Sequence, residues 1–268
     1  MGVGLVAIDL DDTLLNPDLG IAPRCIRAIK AVREQGILVT LATGRMYRSA
    51  LPYAQQLEME LPLITYQGAL VKNSDSGEVL YERPVPSSLA GEIIAYFQRA
   101  GTHCHTYLHD EVCMEKLTRE GTAYAELAGV EPKIISSLVA AVERQAPMKI
   151  MAVNYDQAVI LEMEEELKSI YGERLNITRS KPFFLEVMDR AANKGNALQV
   201  VAEHFAIPRQ EVLAIGDSYN DLQMIRWAGM GVAMGNAPPE VKAIADHITL
   251  SNEEDGVAEA LQQLVLKK

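Results

Sequence analysis

Cysteine is scarce in this sequence and follows no structural pattern. The 268 residues include only Cys25, Cys104 and Cys113, and no C-x-x-C pair. A disulfide framework and a zinc site built on paired cysteines are therefore not expected. Three separate thiols are typical of a protein kept in a reducing compartment, so we expect a cytoplasmic location.

Long apolar runs and a surplus of basic residues are also missing. No apolar span reaches about 18 residues, the minimum for a membrane helix, and Met1 leads almost at once into an acidic motif instead of a signal peptide. The formal net charge of -11 argues against a nucleic-acid partner, because phosphate backbones bind basic surfaces. With no internal repeat and no G-x-x-x-x-G-K-[ST] loop, a nucleoside triphosphatase of that type is not expected. We expect neither a membrane nor a nucleic-acid partner.

Two acidic segments stand out in what is present. Asp9–Thr13 directly follows the apolar run Val3–Ile8, and Gly216–Asp221 follows another apolar run near the other end of the chain. Side chains two apart on an extended segment point the same way, so Asp9 and Asp11 are expected to project together. Grouped carboxylates repel one another unless a cation or protons intervene, and oxygen ligands favour Mg²⁺.

Each segment alone also has an ordinary structural explanation. Asp9–Thr13 is equally compatible with a polar turn that bonds to its own backbone. Asp217 could simply cap a helix that begins at Ser218 or Tyr219. What favours a functional site is the presence of further polar residues that would complete it.

Those further residues follow another strand and open a helix. The apolar run from residue 37 to 42 ends in Thr43, Gly44 and Arg45, where a hydroxyl and backbone N–H groups suit a phosphate oxygen. Lys194 begins an amphipathic helical stretch, although a cation is misplaced at a helix N-terminus. A nearby anion would remove that misfit.

The spacing of these motifs predicts an α/β fold with a doubly wound, mainly parallel, Rossmann-like core sheet. Asp9, Thr43 and Asp217 each follow a predicted buried strand. Because parallel strands end at one edge, where such folds bind ligands, we expect these residues to converge there with Lys194.

In this order the motifs resemble the haloacid dehalogenase superfamily of aspartate-nucleophile phosphatases, in particular its Cof-like branch. The motifs are Asp9-x-Asp11-x-Thr13, Thr43-Gly44-Arg45, Lys194-Gly195, Gly216-Asp217-x-x-Asn220-Asp221, Met234-Gly235-Asn236-Ala237 and Asp255-Gly256-Val257-Ala258. The resemblance extends almost from end to end. Two departures are Gln67-Gly68-Ala69, where relatives usually carry Asn-Gly-Ala, and Asn193, where a smaller or apolar residue is more usual.

The resemblance implies a catalytic role for several residues. Asp9 would attack phosphorus and form an aspartyl-phosphate. Asp11 would protonate the leaving alkoxide and afterwards activate water. Thr43 and Lys194 would hold phosphoryl oxygens. Gly44 and Arg45, in the same turn as Thr43, would belong to the substrate-binding residues.

The resemblance also implies a Mg²⁺ site. The carboxylates of Asp9 and Asp217 and the backbone carbonyl of Asp11 would bind the ion. Asn220 and Asp221 would support it through water or through bonds to the ligands.

The chain between the second motif and Lys194 is far longer than one crossover needs. We place a smaller inserted α/β cap at about residues 84–188, and the catalytic core at residues 1–83 and 189–268. Within the cap the pattern predicts a helix over 89–99, a hairpin about 109–111, a strand at 150–153, a helix over 158–170 and strands near 176–179 and 183–188. The resemblance implies that this cap covers the active site and sets substrate specificity.

Alternate positions of one predicted cap strand carry ring side chains. These residues are His103, His105, Tyr107 and His109. A zinc site is disfavoured, because alternation along one strand spaces the rings too widely for one tetrahedral ion. Together with Lys149, Arg179 and Glu186, they are candidates for recognising the leaving group.

The sequence thus predicts a Mg²⁺-dependent phosphatase of a small phosphorylated metabolite. A sugar phosphate is the first expectation, with pyridoxal phosphate or flavin mononucleotide as alternatives by resemblance. A phosphotransferase or mutase would use the same aspartyl-phosphate. A phospho-accepting signalling domain is a further alternative, against which Asp11 and the insert both count.

Overall fold

Residues 2–266 of the chain are described by the computed structural model, in which they form two units. The first, here called the core unit, consists of the residues up to Gly44, of Ala50–Tyr81 and of the residues from Asn193 onward. The second, the inserted unit, consists of Arg45–Ser49 and Glu82–Ala192. One excursion of the chain therefore supplies most of the inserted unit.

Strands and helices alternate through most of the chain. The first part contains β1 (Leu5–Ile8), α1 (Pro23–Glu34), β2 (Leu38–Leu41), α2 (Tyr47–Gln56), β3 (Pro62–Thr65), β4 (Leu70–Asn73) and β5 (Val79–Glu82). The middle part contains α3 (Ser87–Arg99), β6 (His103–Leu108), β7 (Glu111–Met114), α4 (Arg119–Ala128), β8 (Lys133–Ile134), α5 (Leu138–Arg144), β9 (Ile150–Val153), α6 (Gln157–Tyr171), β10 (Leu175–Lys181) and β11 (Phe184–Asp189). The last part contains α7 (Lys194–His204), β12 (Val212–Gly216), α8 (Leu222–Trp227), β13 (Met230–Ala233), α9 (Pro239–Lys242), β14 (His247–Ile248) and α10 (Gly256–Leu261).

The main sheet of the core unit has five parallel strands in the order β14-β13-β12-β1-β2. A parallel bridge between Ala42 and Ile64 adds β3 beyond the end of β2. β3 also pairs antiparallel with β4, and β5 completes a second sheet of three strands. Successive strands run outward from β1 in one direction and from β12 in the other, which opens a crevice at the carboxyl ends of these two strands. The predicted α/β fold with a doubly wound, mainly parallel core sheet is confirmed.

Burial explains why these segments form the elements they do. None of the four residues of β1 has exposed surface, as expected for a parallel strand covered on both faces. Pro23 suits the first position of α1, where its missing N–H costs nothing. The buried residues of α1 are Cys25, Ala28, Ile29 and Val32, whose spacing defines one helix face. α7 and α8 bury Val201 and Met224 in the same cluster as Leu5 and Ala7.

The inserted unit is a six-stranded sheet in the order β10-β11-β9-β6-β7-β8. Its strands pair antiparallel except for the parallel pair of β7 with β8. Helices α3, α5 and α6 cover one face with a cluster that includes Ile93, Phe97, Val142, Leu167, Leu185 and Val187. Residues of the opposite parity, such as His105, Met151 and Glu186, lie side by side in register on the other face.

Most predicted elements of this unit are present, as α3, α6, β9, β10, β11 and the hairpin of β6 and β7. The hairpin turns at His109 and Asp110, whose φ angles are 51° and 57°. Helices α4 and α5 and strands β4, β5 and β8 were not predicted. The buried residues of α4 are only Gly121 and Ala125, so it lacks the stripe of large apolar residues that sequence patterns detect. Within the described chain, no helix combines the length and the hydrophobicity that a membrane span requires.

Gly68 allows the turn after β3 to approach the start of α7. Its φ is +93°, and a Cβ atom there would lie 2.3 Å from the backbone oxygen of Asn193. The residue next to Asn193 is Lys194, so this close approach fixes the backbone from which the Lys194 side chain extends.

We predict that Gly68→Ala will destabilise the core unit more than the same substitution at a glycine that also has a positive φ but has no neighbouring atoms near its Cβ position. Gly36→Ala is the matched control, because Gly36 has a φ of +80° and open space around its Cβ position. Placing a Cβ at positive φ costs about 1 to 2 kcal/mol, and only Gly68→Ala adds a backbone clash. Urea unfolding of both variants measures the difference, and equal losses of unfolding free energy would contradict the close approach.

Candidate active site

Three neighbouring strands of the core sheet end at the same level. Ile8 of β1 is in register with Leu41 of β2 and with Ile215 of β12. The backbone N–H of Asp9 donates to the Ile215 oxygen at 3.0 Å, and the N–H of Ala42 donates to the Ile8 oxygen at 2.9 Å. The motif residues that follow these strands therefore emerge along one carboxyl edge of the sheet.

Lys194 is the cation of this edge and is fully buried. Its Nζ donates to Asp9 Oδ1 at 2.5 Å and to Asp221 Oδ1 at 2.6 Å. Burial alone would lower the pKa of Lys194, but the two carboxylates outweigh it and raise the pKa above its usual value. Asn193 caps the helix by accepting from the N–H of Asn196 at 2.9 Å. A lysine is tolerated at this helix start because two anions meet it.

Asp221 is a fully buried organiser of the loop after β12. Its Oδ2 accepts from the backbone N–H groups of Asp217 and Ser218, each at 3.0 Å. A Cβ on Gly216 would lie 2.5 Å from the Asp221 carboxyl carbon, so glycine is required for this packing. Ser218, and not Asp217, forms the capping box with Asp221 at the start of the following turn. Asp217 is thus not used as a helix cap.

Asp217 lies beside the first motif. Its Oδ1 accepts from the Thr13 hydroxyl at 2.7 Å, which joins the two acidic segments across the sheet edge. Burial raises the pKa of Asp217 to about 7, and the carboxylate of Asp221 adds to the shift. Burial also raises the pKa of Asp9 well above its usual range, although Lys194 opposes that rise.

The donor set of this cluster fits a hard divalent cation. Asp9, Asp217 and Asp221 each offer a carboxylate oxygen within 4.8 Å of the others. The Asn220 side-chain oxygen is buried and has no hydrogen-bond partner among the described residues. Three carboxylates face one ammonium, so the cluster has a surplus of negative charge. Oxygen donors with that surplus suit Mg²⁺.

Both oxygens of Asp221 are already engaged by Lys194 and by backbone N–H groups. Asp9 and Asp217 each have one such engaged oxygen, Oδ1, so their Oδ2 atoms are the better placed to bind an ion. The residues therefore fit an arrangement in which Asp9 and Asp217 bind Mg²⁺ and Asp221 orients the surrounding groups.

The second motif lies beside β1 on the other side. Thr43 is buried, its N–H donates to the Ile64 oxygen at 2.8 Å, and its own oxygen accepts from the N–H of Gln67 at 3.0 Å. Gly44 follows, and a Cβ there would lie 2.4 Å from Gln67 Nε2. Arg45 is half-buried and begins the segment that groups with the inserted unit, so its role beside Thr43 stays a prediction.

The loop that carries Asp11 leaves the strand in an irregular turn. Asp11 is half-buried with extended backbone angles, and Asp12 is exposed with a φ of 60°, which is typical of an aspartate in a turn. Asn236 donates from Nδ2 to the Asp12 oxygen at 2.8 Å. The C-terminal motif Met234–Ala237 therefore includes a residue that supports the acidic loop, a contact that its sequence pattern alone did not reveal.

The polar face of the inserted sheet carries a chain of hydrogen-bonded rings. The ring nitrogens of His103 and His105 are 3.3 Å apart, and His105 is 3.4 Å from the Tyr107 hydroxyl, which contacts the hydroxyl of Tyr124. Burial, together with the neighbouring His103 and Lys149, holds the pKa of His105 well below its usual value.

Lys149 and Glu186, two further cap candidates, also occupy this face, whereas Arg179 and His109 do not. Lys149 donates to Glu186 at 3.2 Å, and both are buried. Arg179 instead pairs with Glu164 of α6 at 2.5 Å, because it stands opposite Leu185 on the helix-covered face. His109 lies beyond the end of β6 in the hairpin turn. His109 therefore does not continue the row of His103, His105 and Tyr107, and Arg179 lies on the opposite face of the sheet.

The chain belongs to the haloacid dehalogenase-like hydrolase family, which matches residues 6–261. The Bacillus subtilis (strain 168) protein named 5-amino-6-(5-phospho-D-ribitylamino)uracil phosphatase YcsE is 33% identical over 264 residues, covering 98% of this chain and 96% of its own. A haloacid dehalogenase-like hydrolase from Bacteroides thetaiotaomicron has a crystal structure with a TM-score of 0.89 at 34% identity, covering 97% and 99% of the two chains. The subclass IIB sugar phosphatase BT4131 has a TM-score of 0.85 at 25% identity, covering 97% and 98%.

These similarities confirm the resemblance that the motifs indicated. The chain is a haloacid dehalogenase-type phosphatase of the Cof-like branch, and the prediction that it is an enzyme of this class is confirmed. Phosphatases of this superfamily generally use Mg²⁺, and the buried carboxylates of Asp9, Asp217 and Asp221 form a cluster of the kind that binds such an ion.

We predict that Mg²⁺ will raise the thermal midpoint of the substrate-free protein more at a pH of about 8 than at about 5.5. The folded-state pKa of Asp217, about 7, exceeds its usual value of 3.8, so the metal-free protein loses stability as pH rises between these values. Mg²⁺ binds the ionised form of the carboxyl groups. Its stabilising effect is therefore largest above pH 7.

Differential scanning fluorimetry with Mg²⁺ or EDTA across this pH range measures the shift. Asp217→Asn should abolish the Mg²⁺-dependent rise, while Asp75→Asn, at an exposed turn, should retain it. If Mg²⁺ raised the thermal midpoint equally at the low and the high pH, binding of the ion by carboxyl groups of raised pKa would be contradicted.

Proposed function

We propose that this chain hydrolyses a small phosphomonoester in the cytoplasm, with Mg²⁺, through an aspartyl-phosphate formed on Asp9. The observation that carries the proposal is the buried contact of Asp9 with Lys194 at the carboxyl end of β1, beside Asp217 and Asp221. A carboxylate in this position has a cation next to it and a metal-binding cluster on the same side.

Asp9 acts as the nucleophile in this proposal. Its carboxylate oxygen forms a bond to phosphorus while the bond from phosphorus to the alkoxide breaks, and water later breaks the aspartyl-phosphate. Attack of one anion on another is opposed by charge repulsion. Lys194 reduces that repulsion, because its buried ammonium lies 2.5 Å from the attacking group.

Asp11 serves as the general acid and base. It gives its proton to the departing alkoxide and then accepts a proton from the water that attacks the aspartyl-phosphate. Its half-buried place in the loop after Asp9 leaves it accessible to both partners.

The turn after β2 holds the phosphoryl group. The Thr43 hydroxyl and the backbone N–H groups around Gly44 donate to phosphoryl oxygens, and Arg45 and Lys194 add positive charge. Thr43 suits this role because its backbone is fixed on both sides, by Ile64 and by Gln67.

Mg²⁺ would be held by the carboxylates of Asp9 and Asp217 and by the backbone carbonyl of Asp11, with Asn220 and Asp221 as supporting residues. When bound there, Mg²⁺ would supply positive charge that offsets the negative charge of the phosphoryl oxygens. Asp221 keeps Lys194 and the loop after β12 in position through its three hydrogen bonds.

The inserted unit, about residues 84–188, acts as the cap that selects the leaving group. Its polar face offers His105, Tyr107, Lys149 and Glu186, which combine hydrogen-bond donors, acceptors and ring surfaces. Such a face suits a polyhydroxylated or ring-bearing leaving group. A sugar phosphate is our first choice, supported by the name of the sugar phosphatase BT4131. The phosphoribitylaminouracil named for the Bacillus relative joins pyridoxal phosphate and flavin mononucleotide as alternatives.

We predict that Asp9→Asn will lower phosphate release by at least about a thousandfold, because an amide is not a nucleophile for phosphorus. The fold should survive, since Lys194 keeps its partner Asp221. Asp12→Asn is the matched control, because it makes the same change at an exposed turn three residues away and should keep the parent rate. Turnover by Asp9→Asn at the parent rate would exclude Asp9 as the nucleophile.

We further predict that the parent protein will release phosphate from sugar phosphates in Mg²⁺ and not in EDTA. The panel should include pyridoxal phosphate, flavin mononucleotide and p-nitrophenyl phosphate, and the ranking of rates will identify the leaving group. Added glucose should not divert the phosphoryl group. Formation of glucose phosphate would instead identify a phosphotransferase, and phosphorylation of Asp9 without release would identify a phospho-accepting module.

A further inference from the structure

Gln67 lies outside the catalytic motifs in a tight turn between β3 and β4. Tyr66, Gln67 and Gly68 have φ angles of 51°, 57° and 93°. Positive φ is unfavourable for residues with a Cβ, such as Tyr66 and Gln67. Gln67 is nevertheless almost completely buried, so the surrounding structure holds a polar side chain in an uncommon backbone conformation.

The side chain of Gln67 joins two loops of the active site. Its Oε1 accepts from Nδ2 of Asn220 at 2.9 Å, in the loop that follows β12. Its Nε2 lies against Gly44, in the turn that follows β2. The backbone N–H of Gln67 donates to Thr43 in that same turn. One buried residue therefore contacts both the proposed phosphate-binding turn and the proposed metal-binding loop.

The bond from Gln67 fixes which way the Asn220 amide points. Because Asn220 Nδ2 donates to Gln67, Asn220 Oδ1 points away from Gln67. This oxygen is buried and has no hydrogen-bond partner among the described residues. A buried acceptor without a partner is destabilising, because nothing compensates for the water it has lost. Asn220 precedes Asp221 and lies three residues after Asp217. The partner that Asn220 Oδ1 lacks is therefore best supplied by a cation, or by a water molecule bound to that cation.

We propose that Gln67 is a positioning residue for the metal site: it holds the Asn220 amide so that Oδ1 serves the Mg²⁺ bound by Asp9 and Asp217. This inference rests on the proposed function, since it takes those carboxylates as the Mg²⁺ ligands. It adds a residue from a third loop, and it gives a physical role to the glutamine that stands where relatives usually carry asparagine.

The test is calorimetric titration of Mg²⁺ into the substrate-free protein. Gln67→Met keeps the length and unbranched shape of the side chain and removes its hydrogen bonds. We expect the Mg²⁺ dissociation constant to rise about 10- to 100-fold, as when partners of metal ligands are replaced. Gln67→Glu keeps an oxygen that accepts from Asn220 Nδ2, so it should bind Mg²⁺ more tightly than Gln67→Met.

Thr40→Val is the control for a purely structural effect. Thr40 is buried in the same unit, and its hydroxyl donates to the Pro62 oxygen at 2.5 Å, away from the acidic cluster. Losing this bond should lower the thermal midpoint and leave the Mg²⁺ dissociation constant unchanged. A merely structural role for Gln67 would make Gln67→Met behave in the same way.

A double-mutant cycle shows whether Gln67 acts through Asn220. Asn220→Ala should weaken Mg²⁺ binding, and Gln67→Met should add nothing further in the Asn220→Ala background. Additive effects would overturn the proposal.

The outcomes separate this inference from the function on which it rests. If the parent protein binds no Mg²⁺, the metal assignment fails and the inference fails with it. If the parent binds Mg²⁺ and Gln67→Met binds it equally well, the positioning role fails and the proposed function stands. Should Gln67→Met not fold, a tenfold loss of affinity in Gln67→Glu would overturn the proposal, because that variant retains the acceptor.

Discussion

The buried ammonium of Lys194 is the interaction on which the rest of the site depends. It meets Asp9 and Asp221, which come from opposite ends of the chain and are themselves nearly inaccessible to solvent. A buried carboxylate without a partner would be strongly destabilising, so the lysine makes this acidic sheet edge compatible with folding. The same charge lies next to the proposed nucleophile, which lets one contact serve both stability and chemistry.

One lysine does not neutralise the cluster, and the remaining negative charge is the reason we propose a cation site there. Three carboxylates approach within 4.8 Å, and burial raises the pKa of both Asp9 and Asp217. Protons and a divalent ion are the two ways to relieve this repulsion. Both oxygens of Asp221 accept hydrogen bonds within the protein, whereas Asp9 and Asp217 accept side-chain bonds at Oδ1, so the three carboxylates are not equivalent.

Much of the core could be predicted from sequence, because buried parallel strands appear as continuous apolar runs. The motif residues could be predicted because such sheets bind ligands at the carboxyl ends of their strands. Other features have no such signal. Helix α4 buries only small residues, and Arg179 lies on the helix-covered face because pairing with β11 sets its parity. The bond between Gln67 and Asn220 joins residues 153 positions apart, which local patterns do not reveal.

The separation between Asp9 and Lys194 also has a consequence for how the chain is made. They are 185 residues apart, so the first strand leaves the ribosome with an acidic residue whose buried partner has not yet been synthesised. The central strand β1 likewise lacks its neighbour β12 until most of the chain has emerged. Closing so long a loop is entropically costly, and contacts of high sequence separation slow folding. The core unit can therefore be completed only late in translation, after the whole inserted unit has been synthesised.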